Sequence, residues 1–469
     1  SSFVLSYIYS GAAVEALKAQ LDIKDSFLLF CFEAARFIGS GAAAAAVGAC
    51  LVKMGAVNRQ MAYETWVNPI ADFFKRYGIK LALVLLLLIG FYRISDIIAG
   101  VISNVFYQDL NFSKEQIAEA VKVYGVIFSL VGGFLGGLLA QRMNIMKLMF
   151  VGAVLASSTN LIFIGLVKSG QPLGDVAVTV GGQQYAAQPD ETGAWTVQVP
   201  VDVLKKAQAI TATAGYQQGG AQAAAAELPY LNQGAESGQM LLLPVTSDNV
   251  ISTHEAANSI VVRGQYAQAL QGGQKIQILL DGKPFEAKLD KEGIFSAAIP
   301  AEALAASASK KITAQLLAGS QVQMSRERSY QVNTAAAQEN ALDIELQPIN
   351  LAKAVDGAVE VKGKVIKPYS PLWLYFAIIV DNLASGLAGA AFIAFLSSLT
   401  SVSFTAVQYA IFSSLMTLTP KILGGYSGTI VSSIGYPKFF LMTTLIGIPI
   451  LILVVWVAKL LREHEAQQG

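Results

Sequence analysis

The 469-residue sequence has few charged side chains, and only two cysteines and two histidines. Charged residues make up 14% of it, whereas soluble chains usually carry about 25%. Cys31 and Cys50 both lie in apolar surroundings, which argues against a disulfide framework. HExxH, CxxC and GxxxxGK[ST] patterns are absent from the sequence. We therefore expect no enzymatic activity, no cofactor, no metal ion and no nucleic-acid partner.

Apolar residues dominate instead, at 54% of the chain, and the mean hydropathy is +0.50. A helix needs roughly 20 mostly apolar residues to cross a bilayer. The sequence therefore predicts a multi-pass protein whose partner is the lipid bilayer. Eight candidate spans are 3–20 (a partial one), 26–52, 79–107, 117–140, 147–167, 372–399, 404–433 and 439–461.

Small residues indicate how these spans pack, and basic residues indicate how they are oriented in the membrane. Stretches such as "GGFLGG" and "ASGLAGAA" allow helix backbones to approach closely, which is typical of a packed bundle. Lysine and arginine cluster in 53–80, in the turn 141–147 and after residue 458, and all three regions fall on one side of the membrane. Positive charge marks the cytoplasmic side. We expect the C-terminus there and the stretch 168–371 on the opposite side.

The stretch 169–368 has a different composition, because its apolar residues alternate, as in "VAVTV" and "WTVQV". This period of two predicts half-buried β-strands. Residues 176–204 align without a gap with residues 276–304, and the D-x-x-G step at Asp190 recurs at Asp290 as a turn between strands. The repeat resembles the bacterial Ig-like domains of large surface proteins.

The insert is therefore predicted to hold two Ig-like β-sandwiches. The second copy is preceded by a strand pair in 248–266, and the first copy has no such pair directly before it. A segment that resembles this strand pair occurs instead at 349–365, far along the chain from the first copy. We infer that strands from both ends of the insert close the first sandwich, about 169–244 plus 345–367, with the second, about 245–335, threaded into it. Helical segments 1–168 and 369–469 flank the insert.

Several motifs then resemble one family: "WVNPIADFF", "FYRISDIIAGVISNVFY", "VKVYGVIFSLVGGFLGG", "DNLASGLAGAAFIAFLSSL" and "GGYSGTIVSSIGYPKFF". They are similar to the AmpG-type muropeptide permeases of the major facilitator superfamily. The resemblance implies an all-α bundle in the bacterial inner membrane that imports anhydro-muropeptides with protons for cell-wall recycling. It places the spans at helices five to twelve of twelve, with the insert in the periplasm, and we expect the chain to be a fragment lacking helices one to four.

Two opposite charges, Arg93 and Asp96, stand inside the apolar run 79–107. A charge at the bilayer centre costs roughly 2.5–3.5 kcal/mol on insertion scales, so such residues mark a pair or a pathway. Their spacing puts both on one helix face, where they can neutralise each other as a structural bridge. The alternative is a water-filled cavity in which Asp96 takes a proton and Arg93 binds an anionic substrate group, and the family resemblance favours it.

Further candidates stand in other spans. Lys122 matches a lysine of the family and either binds a substrate carboxylate or extends to the outer interface. Asp381 and Asn382 provide either a structural hydrogen bond or a substrate contact. Lys421 follows Pro420, where a broken helix leaves carbonyl groups that need a donor.

Asn160 and Gln408 are weaker candidates and most simply link helices to one another. Glu33 and Arg36 form another pair three residues apart, to which we assign no role. The candidate substrate and proton pathway therefore consists of Arg93, Asp96, Lys122, Asp381, Asn382, Lys421, Asn160 and Gln408.

Two other functions remain open at this stage. One is a related carrier of a different anionic substrate, of the acyl-coenzyme A kind. The other is a membrane-anchored binding protein whose Ig-like domains bind a partner, which the sequence does not identify. The intramembrane charges argue against a mere anchor, because an anchor has no use for them. The leading prediction is a proton-coupled importer of a small anionic sugar–peptide.

Overall fold

A computed structural model describes the chain at residues 2–20, 26–218, 224–232, 239–252, 255, 259–333 and 342–469. The chain divides into two compact units. Residues Ser1–Ser169 and Ser370–Gly469 form the first unit, and residues Gly170–Tyr369 form the second. The first unit is helical and the second is rich in β-strands.

The α-helices follow one another along the chain, with two short ones, α10 and α11, in the second unit. They are α1 (Ser2–Gln20), α2 (Ser26–Lys53), α3 (Arg59–Ala62), α4 (Asn68–Phe91), α5 (Ile94–Asp109), α6 (Lys114–Ala118), α7 (Val126–Arg142), α8 (Ile145–Ser158), α9 (Asn160–Lys168), α10 (Val201–Lys206), α11 (Ala301–Ala306), α12 (Pro371–Leu399), α13 (Thr405–Gly424), α14 (Ser427–Ile434) and α15 (Tyr436–Gln468). Turns of π-helix at Tyr63–Val67 and Glu119–Gly125 lead into α4 and α7.

Six helical stretches among the described residues are long and apolar enough to cross a membrane, in place of the eight predicted. The predicted partial span 3–20 contains a shorter apolar helix, Phe3–Leu17. The predicted span 404–433 forms two helices, α13 and α14, because the chain turns after Gly424 at a second glycine, and glycine is a poor helix former. The six remaining spans agree with a multi-pass membrane protein.

The predicted span 79–107 is interrupted. Immediately before this span, within α4, the chain turns at Gly78, whose φ of 76° favours glycine. A second break follows at Tyr92 and Arg93, and Arg93 has the non-helical φ of −101° and ψ of 14°. The helix α5 therefore begins at Ile94, in the middle of an apolar run, and Asp96 lies in its first turn.

Small residues bring α7 and α12 into backbone contact. A Cβ atom built on Gly132 would lie 2.1 Å from the carbonyl oxygen of Leu383, and one on Gly386 would lie 2.2 Å from that of Ser129. No side chain fits at either place. The predicted packing through glycine is confirmed at this helix pair, and it fixes the position of α12 beside the first half of the unit.

The second unit contains two β-sandwiches. Its strands are β1 (Val176–Val180), β2 (Gln183–Ala187), β3 (Ala194–Pro200), β4 (Ala209–Ala214), β5 (Ala224–Pro229), β6 (Met240–Leu242), β7 (Val250–Ser252), β8 (Ser259–Tyr266), β9 (Gln274–Leu280), β10 (Lys283–Leu289), β11 (Ile294–Pro300), β12 (Lys311–Ala318), β13 (Gln321–Ser329), β14 (Gln331–Asn333), β15 (Asp343–Leu346) and β16 (Ala358–Ile366). The sheet orders are β2-β1-β4-β5, β15-β16-β3, β13-β12-β9-β10-β11-β8-β6 and β14-β7.

Strands distant in sequence build the first sandwich. The strand β16 pairs antiparallel with β3, so that Val361 faces Val197, and β15 pairs with the other edge of β16. Their buried residues share one core with β1 and β4, as Val178 and Val365 do. The strands β6 to β14 of the second sandwich, whose own core includes Phe295, lie between these two parts of the chain.

Equivalent residues of the two sandwiches are 100 positions apart. The Asp190 carboxylate accepts hydrogen bonds from two backbone amides of its turn, at 2.8 and 3.0 Å, and the Asp290 carboxylate does the same at 2.8 and 2.9 Å. The hydroxyl groups of Tyr230 and Tyr330 each donate to the carbonyl of a leucine 26 residues earlier, at 2.7 Å. Both aspartates therefore serve the turn that the repeat predicts.

Candidate functional site

Arg93 and Asp96 meet at the break between α4 and α5. The Arg93 guanidinium donates to the Asp96 carboxylate at 2.5 Å, and the side chains are 21% and 9% exposed. The same guanidinium nitrogen lies 2.5 Å from the Ser385 hydroxyl of α12, which also donates to Asp96 at 3.2 Å. A carboxylate in the first turn of a helix is further favoured by the helix dipole.

Contacts of Tyr92 with α8 and α12 hold the helix break in place. The hydroxyl of Tyr92 donates to the carbonyl of Met149 in α8 at 2.7 Å, and its ring contacts that of Phe392 at 4.6 Å. Gly389 of α12 leaves space for the arginine, because a Cβ atom there would lie 3.0 Å from the guanidinium of Arg93. The backbone of two helices therefore positions the guanidinium group.

A third charge, Asp381, approaches from α12. Its carboxylate accepts a hydrogen bond from Thr159 at 2.9 Å, at the junction of α8 and α9. Its charge interacts with those of both Arg93 and Asp96. One guanidinium group therefore forms a salt bridge with Asp96 and interacts electrostatically with the carboxylate of Asp381.

Asn160 extends this cluster. Its amide donates to the hydroxyl of Ser95 at 3.1 Å, and Ser95 donates to the carbonyl of Thr443 in α15 at 2.7 Å. Five buried side-chain polar atoms among the described residues lack a hydrogen-bond partner, and three of them lie here: Nε of Arg93, Oδ1 of Asp96 and Oδ1 of Asn160. Since buried polar groups are normally satisfied, this concentration indicates a place that binds water or a ligand.

Asn382 and Lys122 lie outside this hydrogen-bonded network. The amide of Asn382 donates to the carbonyl of Ile378 within its own helix at 2.8 Å. Lys122 lies in the π-helical turn before α7, where its side chain is exposed. The predicted helix break at Pro420 is wrong, because α13 continues through this proline to Gly424; the side chain of Lys421 falls outside the described residues.

The structure places Gln408 in a second polar cluster. Its buried side chain contacts Arg76 and Asp72 of α4, which form a salt bridge at 2.9 Å. Glu33 and Arg36, for which we predict no role, form a salt bridge at 3.0 Å, and Arg36 also donates to the carbonyl of Tyr7 in α1.

Sequence reasoning missed the hydroxyl groups of the site. Ser385, Thr159 and Ser95 complete the cluster, but serine and threonine are common in membrane helices and carry no charge to mark them. One signal was present: Ser385 lies four residues after Asp381, on the same face of α12. The Asp72–Arg76 pair was read only as part of the positive cytoplasmic segment.

The chain is similar in sequence to several known proteins over part of its length. No family model matches the chain. "Putative transporter AmpG 4" of Rickettsia conorii is 32% identical over 124 residues, which is 26% of this chain and 29% of that protein. "Putative transporter AmpG 1" of Rickettsia bellii is 38% identical over 90 residues, or 19% of this chain and 22% of that protein. The match thus spans less than a third of the length of these curated relatives.

Comparisons with solved structures find Ig-like domains. A bacterial immunoglobulin-like domain from the M. primoryensis ice-binding adhesin is 22% identical, with a TM-score of 0.18, and the match covers 20% of this chain and 97% of that domain. A larger piece of a bacterial ice-binding adhesin is 19% identical, with a TM-score of 0.19 over 36% of this chain and 55% of the other. In sequence, the resemblance to AmpG transporters is confirmed over about a quarter of the chain.

Proposed function

We propose that this chain is part of a proton-coupled secondary transporter that imports anhydro-muropeptides or related sugar–peptides from the periplasm to the cytoplasm. The observation that carries the proposal is the cluster of Arg93, Asp96 and Asp381 at a helix break. Broken helices with charged groups at the break are typical binding sites of secondary transporters. The similarity to AmpG transporters supports the substrate class.

The charge balance of this site is the physical basis for coupling transport to protons. Two carboxylates and one guanidinium give the site one excess negative charge. An unbalanced charge is expensive in a medium of low dielectric, so the site is more stable when it holds one additional cation. A proton on Asp96 or Asp381 provides this balance. We propose Asp96 as the coupling carboxylate, because it alone forms a salt bridge with Arg93.

Substrate binding then acts through Arg93. A carboxylate of the substrate's stem peptide competes with Asp96 for the guanidinium, whose planar fork suits two oxygen atoms. The unpartnered Nε of Arg93 offers a donor for this contact. When the substrate takes the guanidinium, Asp96 loses its counter-charge and accepts a proton. Substrate and proton are therefore bound together.

We also propose the orientation of the protein. Residues 1–168 and 369–469 form the helical domain in the bacterial inner membrane, with the C-terminus cytoplasmic, and the Ig-like insert 169–368 lies in the periplasm. The support is the distribution of lysine and arginine, which are concentrated in 53–80, 141–147 and the C-terminal end.

The test is uptake of a radiolabelled anhydro-muropeptide by cells that lack their own muropeptide permease and express the full-length protein. Asp96→Asn preserves the shape of the side chain and removes the titratable charge. It is expected to abolish accumulation driven by a pH gradient, while exchange of labelled for unlabelled substrate remains measurable. Glu463→Gln, at an exposed position near the end of α15, is the matched control and is expected to accumulate normally.

Each outcome bears on one part of the proposal. Absence of uptake by the unaltered protein, when it reaches the membrane in normal amount, refutes the substrate class. Normal accumulation by Asp96→Asn refutes coupling through this carboxylate. In that case Asp381→Asn, measured in the same assay, identifies whether the second carboxylate carries the proton.

A further inference from the structure

The second unit contains a cleft of about 850 Å³ between its two sandwiches. One wall comes from the first sandwich, through the start of α10, residues 231–232 and the segment 349–354. The other wall comes from residues 265–270 and from the turn 289–293 of the second sandwich. Small-molecule sites have typical volumes of roughly 300–1,000 Å³ and occur preferentially at domain interfaces. The cleft has the size and the place of such a site.

A buried amide holds the two walls together. Gln265 of β8 is 5% exposed, and its Nε2 donates to the carbonyl of Ile349 at 2.6 Å. Its Oε1 accepts from the backbone amide of Leu231 at 3.0 Å. One side chain of the second sandwich is therefore bonded to both segments of the first sandwich that line the cleft.

A second connection lies at the rim. The Asn350 amide donates to the carbonyl of Glu292 at 3.0 Å, and Lys353 forms a salt bridge with the carboxylate of the same glutamate. The separation of the walls is thus fixed by hydrogen bonds from residues far apart in sequence. A preformed cleft of this kind loses little conformational freedom when a ligand binds.

The lining combines an apolar floor with two lysines that have no ion pair among the described residues. Ile349 is buried, and Leu270 and Leu351 are partly buried against the cores. Lys205 and Lys291 line the cleft from opposite walls, and neither has a hydrogen bond or ion pair within the described residues.

The acidic groups of the cleft are already engaged. The Asp290 carboxylate accepts from the amides of its own turn, and the Glu292 carboxylate is paired with Lys353. With Lys353 at the rim, three lysines face two carboxylates, so the cleft and its rim carry one excess positive charge. A lysine ammonium binds carboxylates through charge-assisted hydrogen bonds.

We propose that this cleft binds a small amphiphilic anion, with a free carboxylate for Lys205 and Lys291 and an apolar or amide-rich body for the floor. This function belongs to the insert and is separate from the transport step at Arg93. Only the choice of a sugar–peptide as the first probe rests on the proposed function.

The experiment is isothermal titration calorimetry of the whole chain in lipid nanodiscs. The probes are N-acetylmuramyl-L-alanyl-D-isoglutamine, the same compound with its carboxylate amidated, and N-acetyl-L-leucine as an anion without sugar. Saturable binding of the first compound is expected, with at least a tenfold loss on amidation. The double variant Lys205→Gln with Lys291→Gln is expected to lose at least tenfold in affinity.

Matched variants locate the site. Lys275→Gln with Lys288→Gln removes two exposed lysines of the second sandwich that do not line the cleft. The affinity of this control variant is expected to stay within twofold of that of the unaltered protein. Leu270→Trp fills the cleft and is expected to abolish binding. Arg93→Lys alters the membrane site, so binding that persists in this variant belongs to the insert.

The outcomes separate the two proposals. The cleft proposal is overturned if neither anion binds, or if the Lys205/Lys291 variant binds as tightly as the unaltered protein. Lysine-dependent binding of N-acetyl-L-leucine alone supports the cleft as an anion site and removes its link to the sugar–peptide. Lysine-dependent binding together with absent uptake supports the cleft and refutes the transport proposal.

Discussion

The helical unit contains two arginine–aspartate pairs that differ in how their polar atoms are satisfied. In the pair Asp72–Arg76, the arginine also donates to the carbonyl of Leu399 at 2.9 Å and to the side-chain oxygen of Gln408 at 3.0 Å. The Gln408 amide returns a hydrogen bond to Asp72 at 2.9 Å and donates to the carbonyl of Pro69 at 2.8 Å. This cluster connects α4, the end of α12 and the start of α13.

The pair Arg93–Asp96 is less completely bonded. Its additional partner is the Ser385 hydroxyl, and Nε of Arg93 and Oδ1 of Asp96 remain without partners among the described residues. The Asp381 carboxylate adds a charge that the pair does not neutralise. Asp72–Arg76 is built as a joint between helices, whereas Arg93–Asp96 retains capacity for another molecule.

The largest expected difference comes from removing each pair as a whole. Arg93→Leu with Asp96→Leu leaves neither charge of the pair unpaired, so the protein is expected to reach the membrane while uptake falls to background. Arg76→Leu with Asp72→Leu is expected to lower the amount of folded protein, since Gln408 then lacks two of its partners. Uptake per folded molecule is expected to persist in that variant.

The measurement is uptake normalised to the amount of protein in the membrane. The two double variants change the same residue types, so each serves as the control of the other. Normal uptake by the variant at positions 93 and 96 would show that this pair is only a structural bridge. Loss of uptake without loss of protein in the other variant would assign Asp72–Arg76 a part in transport.

A smaller effect is expected from two buried amides. Gln408→Leu removes a side chain that makes four hydrogen bonds and leaves the partners unsatisfied, which costs about 1–3 kcal/mol. Asn160→Leu removes one hydrogen bond and one unpartnered oxygen, while Ser95 keeps its bond to Thr443. It is expected to cost less than about 1 kcal/mol.

Thermal unfolding of the purified protein in detergent measures this difference. Gln408→Leu is expected to melt several degrees below the unaltered protein, and Asn160→Leu within about two degrees of it. Equal melting points would contradict the idea that the two clusters differ in how completely their polar atoms are hydrogen-bonded. Gln408→Glu, which keeps an acceptor for Arg76 and Ser401 but loses the amide donor to Pro69 and Asp72, is expected to be intermediate.

Much of the molecule could be predicted from its sequence, because the decisive signals there are local. Apolar runs reveal helices such as α8 and α15, and the alternation in "VAVTV" reveals β1. The D-x-x-G repeat locates the turns at Asp190 and Asp290, whose carboxylates bind backbone amides only two and four residues away. Charges three residues apart also predicted the contact of Arg93 with Asp96.

The rest depends on contacts between distant residues. The break before Ile94 falls at Tyr92 and Arg93, not at a proline or glycine, and it is fixed by Tyr92 bonding to α8 and by space at Gly389. The separation of Gln408 from the Arg93 cluster depends on the crossing of α13 with α4, which no local pattern records. Ser385 and Thr159 become part of the site only through helices far away in sequence.

Asp343, a half-buried carboxylate without a salt-bridge partner in the described residues, extends the comparison to the insert. Asp343 begins β15, and burial raises its pKa to about 7, with further contributions from the negative charges of Glu255, Asp248 and Glu345. It has no salt bridge within the described residues, and its carboxylate accepts a hydrogen bond from the backbone amide of Ile344 at 2.8 Å. Unlike Asp96, this group has no arginine or lysine paired with it in the described part of the chain.

The last prediction follows from that pKa. Between about pH 4 and pH 7 the folded insert keeps a proton on Asp343 that the unfolded chain releases, so stability falls as the pH rises through this range. Asp343→Asn removes the effect and is expected to stabilise the first sandwich at pH 8 by about 1–3 kcal/mol while changing little at pH 4. Trp195 reports its unfolding in urea once the other three tryptophans are replaced by phenylalanine. Glu360→Gln, exposed on β16, is the control, and an unchanged pH dependence in Asp343→Asn would show that another group titrates.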